Sequence, residues 1–482
     1  MSAVLDERSL ADLHDDIAAF RGEVSQAVDG LVCGVLGLQN DQLAPLARRV
    51  ESLERQADRL LTLGRDLQRV SQDLDLERSN RALAEMSRMA PKSRTVVFVG
   101  RWHFGDNLKY AWLAALDRAA AADYECWYLP PDAKQEALVR SLGAPCLPSD
   151  WRAWTHEHFL VAQRAAVLVI ADHFFPAAYH PNPYAPALFA GARWVQLWHG
   201  ISIKEVALRF PADLQGMTPF LAQAFASCGR YAAFVGSSRA AEVEWRRWFA
   251  FDRYSAIGYP RSDVLLRTPT ERDLLNVDLA ALQAARAARA AGGRAVLYAP
   301  TFRDKALGTW LYGVGLDAIA RSLAQRGDRL LVNLHPLDQR EQAALIERYP
   351  DVQFVREHSD LYPLLREADL MITDYSSLMF DFLPLDQPML FYRPDHQQYV
   401  DESRPLYDAK VAQLPGAVCD SLVALLRALE ADPGTLDAPY AAARSELRTR
   451  LFDHADGRAA ERVLALIEDE LALALPTATT TG

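Results

Sequence analysis

The sequence predicts an α/β protein of two facing Rossmann-like domains preceded by a helical arm. Three observations carry this expectation. Short apolar strands alternate with helical stretches from about residue 95 onward. The alternation runs to "GYPRSD" and then restarts at "AVLYAP". The first 90 residues carry no strand signal at all. At 482 residues the chain also exceeds what one hydrophobic core covers.

The arm is expected over residues 1–90. A first helix spans about residues 8–38 and ends near "GLQND". From Leu46 the apolar positions run Leu46, Val50, Leu53, Ala57, Leu60, Gly64, Leu67, Ser71 and Leu74. Steps of three and four in alternation make a heptad seam, weakened at Gly64 and Ser71. Two readings stand: a helical hairpin packed on its own protein, and an arm that forms homo-oligomers or docks a partner. After Pro91 the texture turns β-branched and aromatic. Strands at 95–100, 125–129, 167–171, 194–198 and 232–236 build a first Rossmann-like domain over 91–262. "AVLYAP", "LLVNLHP", "VQFV", "LMITDY" and "PMLFYRP" supply the second over 263–472. Strands that are apolar throughout belong to parallel sheets covered on both faces. "WRRWFAF", residues 245–251, reads as a helix packed on its own sheet, with a membrane-facing helix as the rival. The tail, 473–482, reads as disordered.

Composition narrows the function classes. A net charge of -11 disfavours general nucleic-acid binding, which needs a basic surface. The five cysteines, Cys33, Cys126, Cys146, Cys228 and Cys419, form no C-x-x-C pair and read as free thiols in a reducing cytosol. Neither a signal core nor a run of roughly 20 apolar residues is present, so the chain is expected to be cytosolic or peripheral to a membrane. "FVGRWHFGDN" fails the dinucleotide fingerprint and no phosphate-loop motif occurs, so neither an ATPase nor a dinucleotide oxidoreductase is supported. "GSSRA" is not a nucleophile elbow, and "THEHF" reads as solvated surface.

In open parallel sheets ligands bind beyond the carboxyl ends of the strands. The unusual polar groups of this chain sit there. His199 and Gly200 follow "WVQLW", Thr301 and Arg303 follow "AVLYAP", His335 follows "LLVNL", and Asp374, Ser376 and Ser377 follow "LMIT". A single histidine so placed is more often structural; four polar strand ends together point to a site. In "TDYSSLMFDFL", Asp374, Ser376 or Ser377 is expected to cap a helix whose apolar face includes Leu378, Phe382 and Leu385. Such a terminus offers free N–H groups to a phosphate.

The segments "WHGISIK", "GYPRSD", "YAPTFRD", "NLHP" and "DLYPLLREADLMITDYSSLMFDFLPLDQPMLFY" together resemble the CDP-glycerol glycerophosphotransferases, the teichoic-acid polymerases and primases. The likeness keeps the family's order over about residues 95–400, includes "DNLKYAWLAAL", and leaves the arm outside. It implies the two-Rossmann GT-B fold. The reaction it implies moves glycerol phosphate from CDP-glycerol to a hydroxyl and releases CMP. His199 then matches a candidate general base, and His335 a second essential histidine facing the donor pyrophosphate. Gly200, Ser202 and Lys204 fall in the same histidine motif, with Lys204 lending charge to the wall of the cleft. Arg261 and Arg303 would clamp the pyrophosphate, and Thr301, Ser376 and Ser377 would complete its cradle. Asp381 would orient a histidine or bind a glycerol hydroxyl.

Neither a metal nor another cofactor is expected, since no D-x-D accompanies these strands. The implied partners are CDP-glycerol, a lipid-linked or polymer acceptor, and the cytoplasmic face of the plasma membrane as a peripheral contact. The product is a teichoic-acid-like or capsule polymer. The chain departs from the family in Phe302, in Asn333 and in Ile201–Ser202. These departures keep CDP-ribitol as an alternative donor. A nucleotide-sugar glycosyltransferase or epimerase of the same fold, and a non-catalytic scaffold, remain as other classes.

Overall fold

A computed structural model describes residues 40–172, 182–203, 230–303, 309–335, 341–402 and 414–475, with isolated positions besides. Two six-stranded sheets, parallel throughout, organise the chain. The first contains β1 (Ser93–Val99), β2 (Glu125–Leu129), β3 (Ala165–Ile170), β4 (Arg193–Gln196), β5 (Arg230–Gly236) and β6 (Ala250–Ala256), in the order β2-β1-β3-β4-β5-β6. The second contains β7 (Ala295–Ala299), β8 (Arg329–Val332), β9 (Gln353–Phe354), β10 (Leu370–Thr373), β11 (Met389–Tyr392) and β12 (Ala417–Cys419), in the order β12-β11-β10-β7-β8-β9. Central strands such as β3 and β7 are buried along their whole length, which is why they read as continuous apolar runs.

By contacts the chain divides at Ala82/Leu83 into two compact units. Helix α1 (Asn40–Met89) carries the heptad seam as one 50-residue helix. Leu53, Leu60, Leu67 and Leu74 are 44%, 53%, 48% and 49% exposed along it. The helix expected over 8–38 and the residues after 475 lie outside the described residues.

Within the larger unit, α2 (Asp106–Ala119) follows β1 and α3 (Glu242–Trp248) precedes β6. "WRRWFAF" therefore divides between two elements: the helix stops at Trp248 and Ala250 opens a strand. Trp245, Trp248, Phe249 and Phe251 are all buried in one core with Trp198 and Phe234, so these aromatics pack on their own sheet. The strand was hidden because its aromatics continue the helix's apolar texture. β12 was hidden by its three-residue length.

Two short or late helices complete the frame. Helix α4 (Leu378–Phe382) follows β10 and passes into a 3-10 turn at Leu383–Leu385. Helix α5 (Ala459–Ala474) leaves the second domain. Val463, Leu466, Ile467 and Leu471 pack with Val96, Val167 and Val195 of the first sheet. Asp263 fixes this return, its carboxylate accepting from the N–H groups of Ala459 (2.9 Å) and Ala460 (2.8 Å) at the helix start. The expected span 263–472 for the second domain thus includes a helix that covers the first, and helical structure runs past 473. An apolar helix face does not announce which sheet it will cover.

Candidate active site between the two sheets

His199 stands on a strained turn after β4. Trp198 adopts φ +50° and Gly200 φ +120°. A bulky residue at positive φ is held only by its surroundings. Here the Trp198 N–H donates to Gln196 Oε1 at 2.9 Å, and its carbonyl accepts from Asn107 Nδ2 at 2.9 Å. The indole is buried against Trp245 and Phe249. The His199 ring stacks on Trp198, with centroids 4.1 Å apart, and its side chain keeps 35% exposure. Nδ1 lies 3.3 Å from the Ala171 carbonyl oxygen and 3.7 Å from Asp172 Oδ2. Donation from Nδ1–H to that carbonyl leaves Nε2 as the basic nitrogen. Burial holds the imidazole below its ordinary pKa against the opposing pull of Asp172, so the ring is neutral at pH 7.

Arg261, expected to grip a ligand, is engaged on both sides within the protein. One terminal nitrogen donates to Asp106 Oδ1 and to the His199 carbonyl, each at 2.7 Å. The other donates to both Asp381 oxygens, at 2.7 and 2.9 Å. The guanidinium fills the space over Gly200, where an added Cβ would come within 2.0 Å of it. Gly200 is needed for this close approach as well as for its φ. Asp381 receives Arg261 and the Tyr362 hydroxyl (3.2 Å), and no histidine bonds to it among the described residues. Asp106 also pairs with Arg101. Burial opposes its ionisation, but Arg261 and Arg101 hold its carboxyl well below the usual range.

In the second domain Asp374 ties neighbouring strand ends together. Its Oδ1 accepts from the Thr301 and Tyr375 N–H groups and its Oδ2 from Arg303. Arg303 is also held by Asp395 at 2.5 and 3.0 Å and lies over the Trp310 ring at 4.4 Å. Like Arg261, it is buried and paired. The Thr301 hydroxyl is buried with no hydrogen-bond partner among the described residues. Ser377 takes the N-cap position of α4 without a side-chain cap, and Ser376 Oγ accepts from the Leu378 N–H at 3.3 Å. The His335 ring is partly exposed and lies 4.4 Å from Phe302. Ser202 is half-buried, and Lys204 lies outside the described residues.

Arg261 brings the His199 turn and α4 together: one guanidinium touches the His199 carbonyl and the Asp381 carboxylate. A second pairing joins the domains. The buried Lys109 gives its three protons to Asp360 Oδ2 (2.6 Å) and to the Asp273 (2.6 Å) and Leu275 (2.8 Å) carbonyls, and Tyr110 adds a hydroxyl to Asp360. Sequence reasoning missed Arg101, Asp106, Asp172 and Lys109. The strand-end rule would have found two of them, since Arg101 follows β1 and Asp172 follows β3. No cluster of three or more metal-ligating side chains occurs among the described residues.

Residues 85–469 match the family of CDP-glycerol:poly(glycerophosphate) glycerophosphotransferases. A teichoic acid glycerol-phosphate transferase of Staphylococcus aureus (strain NCTC 8325 / PS 47) is 30% identical over 221 residues, 45% of this chain and 54% of that protein. A teichoic acid ribitol-phosphate polymerase of the same strain, TarK, is 23% identical over 387 residues, 77% of this chain and 68% of that protein. The chain thus spans about half the length of that glycerol-phosphate transferase and of a poly(glycerol phosphate) polymerase of Bacillus spizizenii (strain ATCC 23059 / NRRL B-14472 / W23). The solved wall teichoic acid polymerase TagF superposes with a TM-score of 0.62 at 21% identity, covering 85% of this chain and 98% of that one, which establishes the GT-B-like fold. The chain belongs to the CDP-glycerol:poly(glycerophosphate) glycerophosphotransferase family.

Proposed function

We propose that this protein transfers glycerol phosphate from CDP-glycerol to the hydroxyl of a polyol-phosphate acceptor. The acceptor oxygen attacks the glycerol-side phosphorus, the diphosphate P–O bond breaks, and CMP leaves with the bonding electrons. His199 Nε2 takes the acceptor proton, and His335 stabilises the leaving phosphoryl oxygen. The observation that carries this reading is the shared guanidinium of Arg261, which joins the neutral His199 turn of one domain to the Ser376–Ser377 helix of the other. Catalysis then rests on positioning and charge, as phosphoryl transfer requires.

Nucleotide release from CDP-glycerol, CDP-ribitol and UDP-sugars tests the proposal. CMP from CDP-glycerol supports it, and UDP release alone would sink it. CMP from CDP-ribitol alone would move the donor to ribitol, a reading favoured by the long TarK match.

The acceptor is proposed to be lipid-linked or polymeric, reached by peripheral contact with the cytoplasmic face of a membrane. No described helix is long and apolar enough to cross one. The leucine seam of α1 is proposed to meet a second copy of the chain, because a seam with leucine at every seventh position has no use without a facing helix. Deleting residues 1–82 is expected to lower the oligomeric state in light scattering while CMP release persists. An unchanged mass would rule out that role for the seam.

A further inference from the structure

The two arginines expected to clamp the donor, Arg261 and Arg303, are spent on carboxylates. In the second domain Arg303 follows β7 and is shared by Asp374 and Asp395. Arg356 follows β9 and donates to the Asn276 (3.2 Å) and Val277 (3.3 Å) carbonyls. Arg393 follows β11 directly, its backbone N–H donating to the Cys419 carbonyl at 2.8 Å. Its guanidinium has no carboxylate partner among the described residues, and its Nε is buried with no hydrogen bond.

The local charge makes this vacancy consequential. One guanidinium, Arg303, faces two carboxylates at the ends of β10 and β11, which leaves a unit of negative charge beside the Ser376 turn. A diphosphate placed there would be repelled unless another cation were present. Arg303 and Arg393 lie over the Tyr375 ring, at 5.6 and 5.8 Å from its centroid, and Ser376 is the next residue. Tyr375 is fixed by its stack on Tyr399, at 3.8 Å and 8°, and by the contact of its hydroxyl with His396 Nδ1 at 2.9 Å. Arg393 therefore rests on a rigid ring at the strand ends. Its planar fork of donors suits phosphoryl oxygens.

We propose that Arg393 binds the phosphoryl oxygens of the donor diphosphate, while Arg303 is a structural ion that holds the strand ends together. This rests on the donor reading above, and the test separates the two. Binding of inorganic pyrophosphate, CDP-glycerol and cytidine is measured by calorimetry for the full chain, R393K and R393M; methionine keeps an apolar stem over Tyr375. R393M is expected to bind pyrophosphate and CDP-glycerol about 10- to 100-fold more weakly. Its cytidine affinity and melting temperature should match the wild type, and R393K should recover part of the loss. Equal pyrophosphate affinity in wild type and R393M, or none in either, overturns the inference. Pyrophosphate binding that depends on Arg393 in a protein that ignores CDP-glycerol would leave the anion site standing and sink the donor assignment.

Discussion

His199→Ala is expected to lower CMP release by about two to four orders of magnitude, the range for loss of a positioned acid–base group. The fold should survive, because the ring is a third exposed and Trp198 beneath it is held by other contacts. The pH profile supplies the finer check. A general base works in its neutral form, so activity falls as pH drops through the imidazole pKa. Burial places that pKa below the ordinary value of 6.5, and the acid limb should therefore lie below 6.5. Asp172 opposes this shift, so Asp172→Asn should move the limb further toward acid. A profile governed by a group that persists in His199→Ala would remove His199 from the mechanism.

Arg261→Met is expected to have the largest effect on stability. It would leave Asp381 buried, with the Tyr362 hydroxyl as its one remaining donor among the described residues, and would strip Asp106 of one of its two arginines. Breaking a buried pair costs about 3–5 kcal/mol, because the remaining charge is uncompensated. Arg261→Lys should recover little, since one ammonium does not span two carboxylates and a carbonyl. Adding Asp381→Asn to Arg261→Met should restore part of the lost stability by removing the orphaned charge. Chemical denaturation of the four proteins measures this. Equal stability of Arg261→Met and wild type would mean that the bridge contributes nothing.

These two positions looked alike in the sequence. His199 follows a strand end, Arg261 falls in the "GYPRSD" segment of the family resemblance, and both carry groups that suit phosphate chemistry. The histidine was read as a candidate base, and its surroundings support that chemistry: a strained turn, a fixed tautomer and a neutral ring. The arginine was read as a ligand clamp, but its partner Asp381 lies 120 positions away and occupies it. Arg303 differs in the same way, through Asp374 and Asp395. A strand-end cation that serves a ligand and one that serves a neighbouring loop leave the same mark in a linear chain. Arg393, which has no carboxylate partner among the described residues, lies in "PMLFYRP", where nothing in the sequence distinguishes it from Arg303.

The alternation of most strands and helices, the two-sheet architecture and the heptad seam follow from this sequence alone, because periodicity and breaker residues act over a few positions. Only the tertiary structure decided which cations are spent, which sheet the last helix covers, and how the His199 turn meets α4. Those outcomes depend on distances between groups more than 100 residues apart, where a few ångströms separate a buried ion pair from an open binding site.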